Sequence, residues 1–405
     1  MAYSRRKKII KIILHVFGVL LFVVATSYAL LAAYGYQIDL LHRNIVKTSI
    51  IDIDSRYPAA SLFIDDVQVA KKLPFQVESI EPGTYSLTVT QEEFHTWHRT
   101  VDVLEDVVTI VDDVYLVPID IDAYRDTLSL QFAYDETFVI RDTVFFVDLG
   151  ERRIYRANMT HDTLIFNEIE IPEDIVYNRV YPVGAGYLAF DSEDRAFVYE
   201  IDTKEYNEIL IPDEFKQFTL LYRSSLQGIY ENNGSLFVVD ISDKGVFQEI
   251  TLLHKLDEQV DLQVQSVDAH VLVMLNDTLY EYKDHRLLAI DTVVSALPHV
   301  SPHGDALLYQ TKTGEVYVYS FEMSQKNLIA RFADKSTTVK WLSSGKHFLL
   351  MRNNAVHVCD MMMDNCPVLF SRNFIRALYV MQTKPLLIVI NKEGIERIDL
   401  TFGDQ

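Results

Sequence analysis

Seven short segments recur along the last two thirds of the chain in one register, and this repeat constrains the fold more than any other feature. In chain order they read IYRAN from Ile154, FVYEI from Phe197, FVVDI from Phe237, YEYKD from Tyr280, YVYSF from Tyr317, HVCDM from His357 and ERIDL from Glu396. Successive starts are 43, 40, 43, 37, 40 and 39 residues apart. A period of about 40 residues is the length of one four-stranded blade of a β-propeller. The repeat therefore predicts an all-β fold with seven such blades.

A second apolar strand precedes each repeat, for example LLY at residues 307–309 and FLLM at residues 348–351. Turn residues separate the two strands, as they do in β-hairpins. The best-formed unit, residues 300–321, opens on Ser-Pro-His-Gly. It resembles TolB-like and WD-type propeller repeats, in which a Ser-Pro-Asp-Gly turn leads into a hydrophobic strand, although His303 stands where those repeats have Asp. The resemblance implies an architecture, not an activity, and an array of two packed β-sheets is the alternative.

The two ends of the repeat region are expected to join. The seventh repeat stops at Leu400, and the five residues after it are too few for an outer strand. The alternating segment 127–132 lies before the first repeat, so we expect it to pair with residues 396–400 and complete the last blade. Closing the ring in this way removes exposed strand edges, which otherwise pair with other chains.

An apolar segment, residues 12–33, predicts a transmembrane helix. Its only ionisable side chain is His15, and a helix of this length reaches roughly 33 Å, enough to cross a hydrocarbon core of about 30 Å. The basic arm 1–11 contains five positive charges, which keep the N-terminus in the cytoplasm and export the rest of the chain. We expect an uncleaved signal anchor followed by a stalk, residues 34–47. The alternative is a signal peptide cleaved after Ser27-Tyr28-Ala29.

Between the stalk and the repeats, residues 48–117 carry a second set of motifs. They are SLFIDD from Ser61, LPF from Leu73, EPGTYSLTV from Glu81, FHTW from Phe94 and VDVLED from Val101. Together these segments resemble a PEGA domain, a small β-sandwich of bacterial and archaeal envelope proteins. The resemblance implies a hairpin turn at Asp65 and Asp66 and an aromatic pair, Phe94 and Trp97. From the repeats, we expect residues 118–405 to form the propeller as a separate domain.

The sequence departs from the PEGA pattern at two turns. The four letters that name the family fall on Tyr57-Pro58-Ala59-Ala60, so that only the last agrees, and Asp66 replaces the usual Gly. The strand pattern itself is intact, because Leu87 and Val89 alternate with polar residues as a half-buried strand requires.

The charge of the chain is strongly negative. It has 58 acidic and 37 basic residues, for a net charge of −21. Without the five basic residues of the arm, the exported part carries about −26, which repels nucleic acid and anionic lipid headgroups. Such a surface attracts cations and basic peptides, although acidic residues also simply keep an exported β-rich protein soluble. We therefore expect no nucleic-acid partner.

The two cysteines, Cys359 and Cys366, flank the turn DMMMDN within one blade. A hairpin connection would bring them opposite each other, and a disulfide is permitted outside the cytoplasm. We predict this disulfide. A zinc site would need two further ligands, and His357 is the only local candidate.

The sequence contains no linear catalytic motif. It lacks a Gly-x-Ser-x-Gly elbow, a His-Glu-x-x-His pair and a phosphate-binding loop. The histidine pairs 95 and 98, and 299 and 303, lie in strand or turn sequence and are interpreted as structural. The acidic runs 51–54 and 119–122 alternate as strands do; calcium is the only cofactor they leave open. No catalytic, cofactor-binding or metal-binding residue is predicted.

These observations favour a single-pass protein of the cell membrane, a non-enzymatic component of a bacterial cell envelope. Its PEGA-like module would act as a spacer, and its propeller would bind a protein or glycan partner. Two alternatives stay open. The first is an envelope enzyme, a polysaccharide hydrolase or lyase with a site at the propeller channel, because propeller enzymes assemble sites from separate loops. The second is a structural component of a surface layer.

Overall fold

A computed structural model of the protein gives its fold. It describes residues 2–33, 36–39, 44–161, 164–173, 175–183, 186–192, 195–222, 225–242, 245, 247–255, 261–267, 270–292, 294–333, 338–381, 383–392 and 394–402. The described residues are all-β apart from one long helix and a single 3-10 turn, η1 at Asp122–Tyr124. The chain divides into two compact units, one ending at Pro118 and the other spanning Ile119–Phe402.

The helix of the first unit, α1, spans Ala2–Ala33. It begins ten residues before the predicted apolar segment, so the basic arm is helical as well. Lys and Arg are good helix formers, which explains why the helix continues through the arm. Within the described residues, α1 is the one helix long and apolar enough to cross a membrane, through Leu14–Leu31. Part of the predicted stalk lies outside the described residues.

Nine strands follow in the first unit. They are β1 Tyr36–Asp39, β2 Asn44–Lys47, β3 Ser49–Ile53, β4 Ser61–Ile64, β5 Val67–Ala70, β6 Phe75–Ile80, β7 Gly83–Thr90, β8 Trp97–Val103 and β9 Val108–Val111. Strands β1 and β2 form a hairpin. The others form a three-stranded sheet, β6-β3-β9, and a four-stranded sheet, β5-β4-β7-β8. Two sheets of this size are what a small β-sandwich requires.

The alternation predicted for β7 is present, because Leu87 and Val89 are fully buried while Thr88 between them is not. The Asp pair lies at the hairpin turn between β4 and β5, as expected. Asp65 and Asp66 have positive φ angles of 47° and 64°, the backbone of a two-residue hairpin loop, which Asp tolerates better than most residues do.

The tetrapeptide at residues 57–60 has a packing role despite its departure from the family letters. Tyr57 and Ala60 are fully buried. The Tyr57 ring packs edge-on against Phe94 at 5.9 Å between centroids, and its hydroxyl donates to the Leu116 carbonyl at 3.1 Å. Trp97, the other aromatic residue of the predicted pair, is 2% exposed. These aromatic side chains therefore belong to the core of the first unit.

The second unit contains seven four-stranded antiparallel sheets, numbered here by their first strands. Sheets 1 to 4 consist of β11 Glu136–Ile140, β12 Thr143–Asp148, β13 Arg153–Asn158, β14 Asn167–Ile169; β15 Arg179–Val183, β16 Tyr187–Asp191, β17 Arg195–Glu200, β18 Tyr206–Leu210; β19 Lys216–Tyr222, β20 Leu226–Asn232, β21 Ser235–Ile241, β22 Phe247–Lys255; and β23 Leu262–Val267, β24 His270–Leu275, β25 Thr278–Lys283, β26 Arg286–Asp291.

Sheets 5 to 7 follow the same order, except that the last sheet takes its outer strand, β10, from before sheet 1. They consist of β27 His299–Val300, β28 Ala306–Gln310, β29 Glu315–Ser320, β30 Gln325–Arg331; β31 Thr338–Trp341, β32 His347–Arg352, β33 Ala355–Asp360, β34 Val368–Ser371; and β35 Ala377–Val380, β36 Leu386–Ile390, β37 Ile395–Asp399, β10 Arg125–Leu128. All seven predicted repeat segments lie in the third strand of a sheet, and separate sheets of four replace the alternative of two large sheets.

The expected pairing of the two ends of the repeat region is present, with a shift in bounds. Arg125 pairs with Ile398 and Thr127 with Glu396, but β10 ends at Leu128 instead of continuing to residue 132. It ends there because β37 begins at Ile395. The preceding Gly394 has a φ of +151°, and a Cβ at this position would lie 2.1 Å from the Leu128 carbonyl oxygen.

Apolar side chains fill the space between successive sheets. Clusters of buried residues join sheets 1 and 2, 2 and 3, 3 and 4, 4 and 5, and 5 and 6. A further cluster joins sheet 7 to sheet 1, and Leu130 and Phe132 pack against it. The first strands also contact one another directly, β11 with β15, β15 with β19, β19 with β23 and β27 with β31. Four-stranded sheets packed in this way are consistent with propeller blades.

Candidate functional site

A row of polar side chains crosses the first strands of the seven sheets at one register position. In each sheet, the second residue of the repeat lies on the third strand and pairs with a residue of the second strand. That residue pairs in turn with a residue of the first strand. We call these seven first-strand residues the polar row. They are Thr137, Tyr181, Thr219, Gln265, His299, Lys340 and Tyr379. Their partners on the second strands are apolar: Phe146, Ala189, Ile229, Leu272, Leu308, Leu349 and Ile388.

The contrast between the two strands has a structural cause. A second strand has a strand on each side and a packed sheet against each face, so it is a continuous apolar run, as in Phe145 and Phe146 of β12. A first strand has one open edge, where it meets the first strand of the next sheet. Members of the polar row are half-buried there, except Thr219, which is buried. The register therefore places seven polar groups where the first strands adjoin.

Three members of the row bind the backbone of the neighbouring first strand. The Tyr181 hydroxyl accepts the Leu220 backbone N–H at 3.0 Å. His299 Nδ1 accepts the Trp341 backbone N–H at 3.2 Å. The Tyr379 hydroxyl donates to the Thr137 carbonyl at 2.6 Å, which links sheet 7 to sheet 1. These bonds satisfy open-edge backbone groups and fix the positions of the side chains.

Burial shifts the pKa values of several groups in or beside the row, and it raises those of the Tyr181 and Tyr379 hydroxyls. It raises the pKa of Asp191 to about 6, although the Tyr181 hydroxyl, which donates to Asp191 Oδ1 at 3.2 Å, lowers it in part. Burial, with a smaller contribution from the positive charge of Lys340, lowers the pKa of His299 to about 3. The pKa of Lys340 is lowered too, again by burial. Groups perturbed in this way mark a candidate functional site.

Lys340 lies between two members of the row. Its ammonium lies 5.6 Å from the centroid of the Tyr379 ring, a cation–π distance, and its charge acts on His299 from the other side. His299, Lys340 and Tyr379 therefore form a contiguous group on sheets 5, 6 and 7. We call it the Lys340 group.

The first strands carry the opposite charge balance to the chain as a whole. They contain one acidic residue, the exposed Glu136, against three basic residues, Arg179, Lys216 and Lys340. This strand set has an excess of positive charge in a protein of net charge −21. An edge of this kind favours acidic groups over basic ones as ligands.

A second charged cluster lies at the closure of sheet 7. Glu396 is 5% exposed. Its carboxylate accepts from Arg125 Nη1 at 3.3 Å, from Arg372 Nε at 3.2 Å to both oxygens, and from Asn391 Nδ2 at 2.9 Å. These donors come from β10, from the end of sheet 6 and from sheet 7 itself. In this cluster, which we call the closure cluster, donors from the protein itself bind the carboxylate.

The cysteines lie where the sequence placed them, at a hairpin end of sheet 6. Cys359 and Cys366 are joined in the structure with their Cα atoms 4.0 Å apart. His357 Nδ1 lies 3.2 Å from the Cys366 carbonyl oxygen, an alternative to metal binding for that ring. The disulfide requires an oxidising compartment, so it stays a prediction, with a test given in the Discussion.

The other histidine and acidic motifs do not converge. His98 Nδ1 lies 3.0 Å from the Thr88 hydroxyl, and Asp120 accepts the backbone N–H of Asp122 at 2.9 Å in a local turn. Across the residues that the structure describes, no group of three or more His, Cys, Asp or Glu side chains is arranged to hold a metal ion. Of the predicted histidine motifs, only His299 belongs to the candidate site.

Motif searching missed the polar row because its members share a register and no residue type. A signal was present in the sequence. One polar residue lies 15 to 18 positions before the start of each of the seven repeats. Aligning the upstream strands by the repeats would have shown that this position is polar in all seven strands.

Comparisons with known proteins give one family match and a similarity to solved structures. Residues 48–114 match the family model described as PEGA domain. Among solved structures, the chain is similar to the β-propeller domain of Cps50 (Swd1) from Myceliophteria thermophila. That similarity has 10% sequence identity and a TM-score of 0.49, over 67% of this chain and 98% of the other. A search of the curated proteins finds no match. We base the propeller interpretation on strand pairing and sheet packing, not on this similarity.

Proposed function

We propose that the chain is a non-enzymatic, membrane-tethered protein of the cell envelope, in which a seven-bladed β-propeller binds a protein partner. Helix α1 would be an uncleaved signal anchor with its N-terminus in the cytoplasm. The PEGA-like module would be a spacer between the membrane and the propeller. The polar row would line the propeller channel and form part of the binding face.

The observation that carries this proposal is the composition of the first strands. Hydrolysis of a glycosidic bond usually needs two carboxylates placed on either side of it. The first strands offer one, Glu136, which is exposed and lies outside the polar row. Three aromatic members of the row, Tyr181, His299 and Tyr379, instead bind neighbouring backbone, an arrangement that supports a rigid surface for recognition. The polysaccharide enzyme is therefore the less supported alternative.

Membrane tethering is tested by protease protection. Protease added to intact cells stripped of any outer barrier is expected to digest most of the chain. A fragment of about the first 30 to 40 residues would stay protected, because the apolar segment and the basic arm keep it in and behind the membrane. A mature protein beginning between residues 29 and 34 would instead establish a cleaved signal peptide.

Partner binding is tested with a photo-crosslinking amino acid placed on sheet 4. Gln265 is on the first strand of this sheet, in the polar row, and Leu288 is an exposed residue on its outer strand. We expect a discrete protein adduct from the Gln265 position in cells and none from the matched Leu288 position. Adducts that contain sugar and no second protein would favour the glycan alternative. Adducts only between copies of the chain would favour a surface-layer component.

A further inference from the structure

The Lys340 group presents two hydrogen-bond donors that no protein acceptor occupies in the part of the chain that the structure describes. His299 Nδ1 accepts the Trp341 backbone N–H, so Nδ1 is unprotonated and the ring hydrogen is on Nε2. The low pKa of His299 keeps the ring neutral at neutral pH. Nε2–H is therefore a fixed donor, and the Lys340 ammonium supplies further donors beside it.

Among the residues that the structure describes, no carboxylate is paired with this lysine. A nearby acidic side chain would raise the pKa of Lys340, but burial, which lowers it, is the one effect on this group. The closest described partner is the face of the Tyr379 ring. The Tyr379 hydroxyl is already bound to Thr137, donating to its carbonyl and contacting its side-chain hydroxyl at 2.9 Å. The group thus has donors and positive charge without an acceptor.

The arrangement selects one class of ligand. A carboxylate has one negative charge and two acceptor oxygens, so it can accept from the ammonium and from Nε2–H together. A phosphate dianion would lack a second cation, since Lys340 is the one charged member of the group. A sugar ring usually stacks on an aromatic face, but the Lys340 ammonium lies over the Tyr379 ring.

We infer that His299 and Lys340 form a carboxylate-binding subsite, which takes an acidic side chain or the C-terminal carboxylate of the protein partner. The inference rests on the proposed binding function and adds the chemical group that the propeller recognises. The subsite needs an unoccupied Lys340, which distinguishes it from the closure cluster around Glu396.

The test uses the full-length protein in detergent and small probes of defined chemistry. The probes are acetate, chloride at equal ionic strength, a short neutral peptide with a free C-terminal carboxylate, the same peptide as its amide, and glucuronate. The readout is the NMR signal of the His299 ring carbon during titration. We expect saturable shifts for acetate and the peptide acid, with dissociation constants on the order of millimolar. Chloride and the amide are expected to give none.

Variants assign the effect to the subsite. Lys340→Met is expected to weaken peptide binding on the order of tenfold or more, the cost of losing a charged hydrogen bond. Lys283→Met, an exposed lysine at the end of β25, is the matched control and is expected to leave binding unchanged. His299→Gln keeps an acceptor for the Trp341 N–H and a donor for the ligand, so it is expected to retain binding, whereas His299→Leu is expected to lose it. Melting temperatures of all four variants verify that they fold.

Several results would overturn the subsite. They are equal responses to acetate and chloride, equal binding of the peptide acid and its amide, unchanged peptide binding by Lys340→Met, or tighter binding of glucuronate than of the peptide acid. The crosslinking experiment distinguishes failure of the subsite from failure of the proposed function, which fails if the Gln265 crosslinker captures no protein partner in wild type. If the Gln265 crosslinker captures a protein partner equally well in wild type and Lys340→Met, the binding function stands and the carboxylate subsite is wrong.

Discussion

Sheets 6 and 7 each contain a charged group with little exposure to water, the half-buried Lys340 and the buried Glu396, and their surroundings differ. In the closure cluster, the Glu396 carboxylate receives hydrogen bonds from two arginines and an asparagine. In the Lys340 group, the ammonium lies against an aromatic ring, and no acidic side chain of the described residues is paired with it. The charge of Glu396 is thus paired with protein groups, whereas the charge of Lys340 is not paired with any acidic group of the described residues.

The difference separates a structural role from a binding role. A buried charge is costly unless it is paired and hydrogen-bonded. The closure cluster meets that requirement with groups from three parts of the chain, so it holds β10 against β37 and joins sheet 6 to sheet 7. The free-energy cost of burying the Lys340 ammonium is not offset by an ion pair among the described residues. An uncompensated cost of this kind is common where a ligand completes the site.

The largest effect is expected from Glu396→Gln. This substitution keeps the size of the side chain but removes the charge that pairs Arg125 and Arg372. Arg372 loses its carboxylate partner, and Arg125 is left with the more exposed Asp122 at 2.7 Å. We expect a loss of about 3 kcal/mol in the free energy of unfolding. Denaturant unfolding of the full-length protein measures it. Glu208→Gln is the control, because its pair with Arg195 is solvent-exposed and contributes about 0 to 1 kcal/mol.

Equal destabilisation by Glu396→Gln and Glu208→Gln would contradict the structural role of the closure cluster. A loss of stability in Glu396→Gln alone, accompanied by oligomers, would support that role and link it to the pairing of β10 with β37. Release of β10 exposes the edge of β37, and an exposed edge pairs with other chains.

The next prediction concerns two groups without a full complement of partners, His299 and Asp191. The pKa of His299 falls from 6.5 to about 3 in the folded state, so stability rises with pH across that window, where only the unfolded chain holds the proton. The pKa of Asp191 rises from 3.8 to about 6, so stability falls as pH rises across that window. The two slopes oppose each other between pH 3.8 and about 6.

Removing either group should therefore reveal the pH dependence of stability that the other group causes. In His299→Gln, stability is expected to fall by about 2 kcal/mol as pH rises from 4 to 6, and in Asp191→Asn it is expected to rise by a similar amount. Wild type is expected to change less than either. Unfolding free energies at pH 4, 5 and 6 measure the slopes. Parallel profiles for all three proteins would show that neither group is shifted in the folded state.

A third test removes a covalent link from sheet 6 without changing charge. Non-reducing mass spectrometry of the exported protein is expected to find Cys359 linked to Cys366. Reduction is expected to lower the unfolding free energy by about 2 kcal/mol and the melting temperature by a few degrees, because the disulfide closes a short loop. The Cys359→Ser, Cys366→Ser double variant controls for effects of the reductant elsewhere. Two thiols that react with maleimide in the folded, oxidised protein would rule the disulfide out.

The sequence predicted the repeating strands better than the site they support. The repeats were visible because third strands such as Phe197 to Ile201 combine apolar and aromatic residues with a fixed spacing. The closure was visible because residues 127–132 alternate, yet alternation alone could not show that β10 ends at Leu128, since that depends on where β37 begins. The polar row was not predicted, because threonine, tyrosine, histidine and lysine share no motif and become comparable only through strand register.

The smallest effect, and the one that most directly tests the comparison, is expected from Lys340→Met. Methionine fills a similar volume without a charge, so the variant loses the burial cost of the ammonium, and we expect a gain of about 1 kcal/mol at neutral pH. The folded-state pKa of Lys340 is lowered from 10.5. The cost is therefore fully present below the folded pKa and disappears as pH rises towards 10.5, where the unfolded chain also loses the proton. The gain of Lys340→Met over wild type should shrink over that range, whereas Lys283→Met should show no gain at any pH. A destabilised Lys340→Met protein would mean that Lys340 stabilises the fold as Glu396 does, and the two sheets would then no longer differ.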